Sequence, residues 1–430
     1  MSLFPFLAEH TDIVSLCVFV FCVILFIWDK LPMATSSILG CSLMVILGVC
    51  DFKTAFSQFA SNTVILTIGV MIIGAAISET GLATVIGQWI VKVSKGSEIK
   101  LMIATYLVAA VMSAFLTNSA VLAMFIPIIM GVSKANPKIK AMNLIMPITF
   151  ACIIGGASTL VGSTQQMTTQ GLLEEAGLRT FGIFDFTLVG GALAVLGLLY
   201  CLIIGRKRGE RIWGNRNTEL AYADKDAEKV YDKKKMIIIA CIFVFMVVFY
   251  ITEWLPLPMT STVCALACII TGCISQKKAI ASVNWNVVGR LAACLGIAKA
   301  LIAGGGSALV GTWFQNIVGD SIHPYLLFCI LILMVQVTGE LITDSTAIVM
   351  VLPIVISIAP AMGLNTYAYA LGITLAVAVG YSTPLGSSTL GMAMSAGYEF
   401  RDFFKYSIWF DVLAYLLIIT MVPAIYGLTV

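Results

Sequence analysis

Long apolar runs separated by short polar interruptions dominate the chain. Residues 13–28, 63–78, 187–205, 236–251 and 407–426 are almost uniformly apolar. Each approaches or exceeds the roughly 17–25 residues that carry a helix across hydrocarbon. None alternates with period two, so the pattern predicts helices rather than the strands of a membrane barrel. The first run continues through Trp28-Asp29-Lys30 with no basic segment before it and no small-residue cleavage site. It therefore reads as a span and not as a cleaved signal. The expected fold is an all-α polytopic membrane protein.

Composition strengthens this. The 430 residues are 60% hydrophobic and 11% charged, whereas soluble domains carry about 25% charged residues. A water-exposed surface of this size cannot be covered by so few polar groups. The net charge of +3 adds little, and no nucleic-acid partner is expected. The 12 cysteines lie scattered through apolar runs without a CxxC pair, and only His10 and His323 are present. Free buried thiols are expected, and no transition-metal site.

One segment breaks the apolar pattern near the middle. Residues 206–235 hold ten Lys/Arg and six Asp/Glu and must lie in water as a linker. The flanking parts, 1–205 and 236–430, resemble one another. Leu31-Pro32-Met33 recurs as Leu257-Pro258-Met259, and Gly87-x-Trp89 as Gly311-x-Trp313. Thr117-Asn118-Ser119, followed by Pro127, recurs as Thr343-Asp344-Ser345, followed by Pro353. Thr159-x-x-Gly162-Ser163 recurs as Thr383-x-x-Gly386-Ser387. The offsets stay between 224 and 226 positions, in one order, and internal duplication marks secondary transporters.

Spans are predicted near 13–28, 33–50, 62–80, 141–171 and 184–205, and again near 236–252, 259–275, 284–303, 366–397 and 403–428. Between the third and fourth of each set, residues 100–132 and 323–360 read as re-entrant helical hairpins, apolar arms around a polar tip. Residues 81–94 and 305–320 read as amphipathic surface helices. Five crossings per half make two inverted-topology repeats. With the linker cytoplasmic, only Lys53 and Arg179 of the 25 Lys/Arg fall outside the cytoplasmic loops and the spans, which hold Arg290 and Lys299. The positive-inside rule then sets the linker in the cytoplasm and both termini outside, in the plasma (inner) membrane.

Polar residues at membrane depth fall in two kinds of place. The hairpin tips carry Ser113, Thr117, Asn118 and Ser119, and Thr343, Asp344, Ser345 and Thr346. The fourth and ninth spans are interrupted at 155–164, with Ser158 and Thr159, and at 380–388, with Ser382, Thr383 and Pro384. Broken backbone survives in a bilayer only against protein or a watery cavity. Its carbonyls and hydroxyls suit Na⁺, and its helix N-termini suit an anion. Single Ser or Thr residues often serve helix contacts instead; paired tips with paired breaks point to ion and substrate sites. Asp344 is the sharpest residue, since an ionisable group in a span is functional by default. Glu340, one turn earlier, either shares that site or lines the hairpin's packing face. Lys299 is the candidate partner for these carboxylates.

These motifs resemble those of the divalent anion/sodium symporters, within the broader ion-transporter superfamily, over nearly the whole chain. The resemblance implies a homodimer in which a transport domain of hairpins and broken helices moves, elevator-like, against a scaffold. It implies Na⁺ at Ser113, Thr117, Asn118 and Ser158, and a second Na⁺ at Gly339, Thr343, Asp344 and Ser382. It sets Asn118, Ser119, Thr159, Ser345, Thr346, Thr383 and Pro384 toward the substrate, a small di- or tricarboxylate. The second tip departs from the family in having Asp344 where Asn is usual, and that makes proton coupling a live alternative. Sulfate or another oxyanion as cargo and anion exchange also stay open. A channel and a membrane enzyme are weaker readings, because paired breaks favour occlusion and no acid/base or metal set clusters at membrane depth. Membrane lipids are the remaining expected contact.

Overall fold

The computed structural model describes residues 10–28, 31–94, 96–136, 139–214, 216, 232–318 and 323–429. Lys30, Lys95, Lys138, most of the charged linker and the first nine residues, on which the sidedness argument leans, lie outside the described residues. Among those described, secondary structure is helical apart from one isolated bridge, Leu364 to Thr429. Among the described residues, seven helices are long and apolar enough to cross a membrane. Their outward faces carry exposed Val195, Ile203, Val244, Ile251 and Leu416, apolar surface that only lipid or another protein would cover at low cost. The chain is a helical integral membrane protein.

The element order in the first half recurs in the second. Thr11–Trp28 and Met33–Ile46 precede Asn62–Glu79, the amphipathic Leu82–Val93, and the hairpin arms Glu98–Ser113 and Asn118–Ala135. Then come the broken helix Ala141–Ala157 with Thr164–Glu175, and Thr187–Tyr200. The second half runs Lys233–Thr252, Leu257–Ile270, Trp285–Ala303, Gly306–Val318, the arms Pro324–Leu341 and Asp344–Ala361, the broken pair Thr366–Ala378 and Ser388–Met394, and Phe400–Tyr426. Trp89 and Trp313 stand exposed on the two amphipathic helices, as interfacial tryptophans do. The first segments of the broken helices form the centre. In Ala141–Ala157 every residue but Asn143 is buried, and in Thr366–Ala378 every residue but Thr366. A helix apolar on all sides has no other place to go.

The structure differs from expectation at several ends. The second span stops at Ile46, short of 50, where Gly48 turns the chain at φ 77°. Its counterpart stops at Ile270, short of 275. The short helices Phe52–Phe56 and Gln276–Ser282 follow; each is nucleated by a side-chain cap, Asp51 or Ser275, a local signal that the hydropathy pattern hides. The fifth span does not end at 205. It passes through a π-helical turn, Cys201–Gly205, into Arg206–Trp213. The reason is Trp213, buried against Tyr398 and Tyr406 with its indole N–H donating to Asn143 at 2.9 Å. Just beyond, Arg216 makes a two-pronged ion pair with the buried Asp402, at 2.5 and 3.2 Å. That contact raises the Arg216 pKa further above its ordinary value. Asp402 also accepts the Glu399 amide in the capping box that starts the last helix. We expect Asp402→Ala to cost about 1–2 kcal/mol, as lost caps do. Thermal unfolding in detergent checks it, with exposed Arg401→Ala as the neutral comparison.

Candidate functional site

Each hairpin tip sits inside the break of its own half. In the first half the arm ends at Ser113, whose hydroxyl donates to Asn118 Oδ1 at 2.7 Å across the turn. The tip meets backbone that only glycine permits. A Cβ on Gly162 would stand 2.5 Å from Gly156 O and 2.8 Å from Ser113 O. Thr159 donates its hydroxyl to Ala114 O. The second half repeats these contacts. Gly386 lies against Gly339 O, and Thr383 donates its hydroxyl to Glu340 O. Asp344 N donates to Gly386 O at 3.3 Å.

The halves then reach across to one another reciprocally. Ser119, beside the first tip, is hydrogen-bonded to Ser388 and Thr389 at 3.3 and 3.2 Å, after the second break. Gln165, after the first break, donates its amide to Asp344 at the second tip. Between them lies a cavity of about 550 Å³. Four helices open onto it with their N-termini, those beginning at Asn118, Thr164, Asp344 and Ser388. Their N-terminal ends carry partial positive charge, although Asp344 N is taken by Gly386 O and Thr389 N by the Ser387 hydroxyl. A full positive charge comes from Arg290, on Trp285–Ala303, whose Nη2 lies 3.5 Å from Ser345 Oγ and which also faces Asp344.

The expected residues divide by depth. Thr117, Asn118, Ser119, Thr343, Asp344, Ser345 and Pro384 line the cavity. Ser113, Ser158, Gly339 and Ser382 stand behind the wall, among the helix C-terminal carbonyls. Ser158 donates back to Ile154 O at 2.8 Å, and Ser382 donates its hydroxyl to Asp411. Three residues set toward the substrate are also absent from the cavity lining. Thr159 and Thr383 are held by the carbonyls named above, and Thr346 is hydrogen-bonded to Thr343 at 2.6 Å. The structure corrects the partner of the second tip. Lys299 instead pairs with Glu175 at 3.0 Å, and Arg290 is the cation at Asp344. Sequence reasoning passed over Arg290, Gln165 and Asp411. The signal was present for two of them, since Arg290 and Asp411 are ionisable residues inside apolar helices.

Residues 23–371 match the CitMHS family, described as citrate transporter. The chain belongs to this family. The likeness to anion transporters of the ion-transporter superfamily holds at the level of the family. Relatives of this citrate transporter family member include the uncharacterized transporter YfbS of Escherichia coli K12. That protein is 32% identical over 182 residues, 42% of this chain and 30% of its own length. The sodium-dependent high-affinity dicarboxylate transporter 3 of Caenorhabditis elegans is 26% identical over 190 residues, 40% of this chain and 33% of its own length. The chain thus spans about a third of the length of these relatives. Its fold is similar to that of the Alcanivorax borkumensis YdaH transporter, with TM-score 0.67 and 14% identity over 94% of this chain and 98% of that one.

Proposed function

We propose that this family member is a cation-coupled symporter of small di- or tricarboxylate anions. One observation carries the reading: four helix N-termini and the Arg290 guanidinium converge on a single hydroxyl-rich cavity at the meeting of the tips and breaks. That is an anion site by charge and by hydrogen-bond donors. Behind it, Ser113, Asn118 and the ends of the arm and the broken helix supply an oxygen-rich pocket that suits Na⁺. The second half supplies a counterpart with Gly339, Thr343, Asp344 and Ser382, for Na⁺ or H⁺. The C. elegans relative named for sodium and dicarboxylate fits this chemistry. The hairpins and broken helices would shift together against the remaining helices as an elevator, within a homodimer in the inner membrane. The linker would lie in the cytoplasm and both termini outside.

A thermal-shift screen of carboxylates and oxyanions, with and without Na⁺, tests this directly. A ligand of the folded state raises its unfolding midpoint by mass action. Citrate or a dicarboxylate should do so, more strongly with Na⁺. Stabilisation by sulfate alone would select the oxyanion alternative, and an ohmic current in liposomes would select a channel. Asp344→Asn keeps an acceptor for Gln165 and removes the charge. It should change the Na⁺ or pH dependence of uptake about tenfold; an unchanged ion dependence removes Asp344 from coupling.

A further inference from the structure

The cavity opens toward one face, and an ion pair stands at the other. Along Asn62–Glu79 the lining runs from Met71 to Ser78, and along Trp285–Ala303 it stops at Arg290. The mouth therefore lies near Ser78 and Ser282, at the end of the first helix and before the start of the second. The far ends of these two helices pack against Thr164–Glu175, the second piece of the first broken helix. A Cβ on Gly171 would stand 2.7 Å from the Leu295 side chain, and the Thr67 hydroxyl donates to the Met167 sulfur at 2.8 Å. At the end of this piece Glu175 reaches both neighbours. Its Oε1 accepts from the Gln58 side-chain amide, and its Oε2 faces Lys299 Nζ at 3.0 Å. Gln58 is buried, and the Glu175 side chain is only 15% exposed.

The second half carries no matching pair at the mouth. An offset of 224 positions carries Thr164 onto Ser388, and it carries Gln58 onto Ser282, Lys299 onto Ala75 and Glu175 onto Glu399. Ser282 and Ala75 both line the cavity. The counterparts of the two groups that hold Glu175 thus flank the open mouth, as halves of opposite sense require. Neither is charged. Glu399 is instead paired with Arg216 at 3.3 Å and caps the last helix. The lysines of Gln276–Ser282 are placed otherwise: Lys278 pairs with Glu79, and Lys277 is exposed to solvent.

We propose that Glu175, Lys299 and Gln58 form a one-sided latch, which favours the state whose cavity opens past Ser78 and Ser282. To reach the opposite state, Thr164–Glu175 must leave the far ends of its two neighbours, and Glu175 parts from both partners. Closing the mouth then brings Glu399 toward Ala75 and Ser282, where a methyl and a hydroxyl replace the cation and the amide. The gain on one face is not returned on the other. With Glu175 mostly shielded from water, the pair lies near the upper end for surface ion pairs, a weight of about fivefold in population. On the topology argued above this is the cytoplasm-open state, so the empty carrier waits facing the cell interior. The latch rests on the symport reading for the existence of a second state and for its sidedness.

Hydrogen–deuterium exchange of the full chain in liposomes, without citrate or Na⁺, reads both faces at once. In Glu175→Gln, and in Lys299→Gln, amides of residues 57–64 and 174–178 should exchange about fivefold faster. Those of residues 282–287 should slow as molecules leave the mouth-open state. Faster exchange at the latch alone is local fraying, so the opposite change at the mouth is the deciding sign. Glu175→Lys/Lys299→Glu should return both faces to wild-type rates, since Gln58 can turn its amide to offer oxygen. Lys53→Gln, an exposed cation of the same face, should change neither. A mouth unaltered in the single variants, or left altered after the charge swap, overturns the latch. Citrate uptake is followed in the same liposomes. Uptake without the reciprocal change leaves the symport reading and removes the latch, and the reciprocal change without uptake does the reverse.

Discussion

Arg290→Gln should lower the affinity for a carboxylate cargo about a hundredfold while the protein still folds. The guanidinium is the one full positive charge lining the cavity among the described residues, and it approaches the second tip at Ser345. Charge-assisted hydrogen bonds to an anion are worth about 1.5–3 kcal/mol, and about 2.7 kcal/mol corresponds to a hundredfold. Lysine should rescue only in part, since a point charge cannot replace the planar fork. The measurement is the concentration of citrate that half-saturates the thermal shift. An Arg290→Gln protein that binds citrate as the wild type does would remove Arg290 from the site and, with it, the chief reason for an anion in this cavity. A lowered midpoint without ligand would be no surprise, because the substitution leaves Asp344 without its cation.

The second large effect concerns the glycines where tips enter breaks. Alanine at Gly162 or Gly386 should cost roughly 3 kcal/mol or more and abolish gradient-driven uptake. Overpacking a core usually costs about 1–3 kcal/mol, but there a side chain can move aside. Here the obstacles are carbonyl oxygens, Ser113 O and Gly156 O in one half and Gly339 O in the other. Ser113 and Gly339 also belong to the ion sites proposed above, so on that reading relief of the clash would dismantle them. Gly131→Ala is the control. Nothing stands within 4 Å of the added methyl, it lies inside the helix Asn118–Ala135, and alanine there should stabilise by up to about 1 kcal/mol. Unfolding midpoints of the three variants, with uptake measured alongside, decide the matter.

Most of the helical layout was legible in the sequence because a bilayer imposes a crude rule. Helices such as Trp285–Ala303 begin and end within a residue or two of where hydropathy puts them. The hairpin tips could be read because Thr117-Asn118-Ser119 and Thr343-Asp344-Ser345 interrupt apolar arms in a way lipid would not tolerate. Hydropathy failed where a single side chain rather than a run of residues decides. Trp213 continues a helix through a charged stretch by finding a pocket between Tyr398 and Tyr406, and no window average registers one indole. The deeper parts of the site were hidden for another reason. Spacing can show that Asn118 and Asp344 are counterparts, but not which of Thr159, Thr346 and Thr383 turn inward to a carbonyl. Asp411 lies 29 residues from the serine hydroxyl it accepts, on a helix whose remaining character is ordinary.

The crosswise contacts of Ser119 with Thr389 and of Gln165 with Asp344 have a mechanical corollary. Neither polypeptide half encloses the chamber alone; each contributes the latch for the other's loop. On the symport reading proposed above, a displacement begun at one end would be handed to the opposite end, ions and cargo would ride as a single parcel, and a change made in one half would be felt in both.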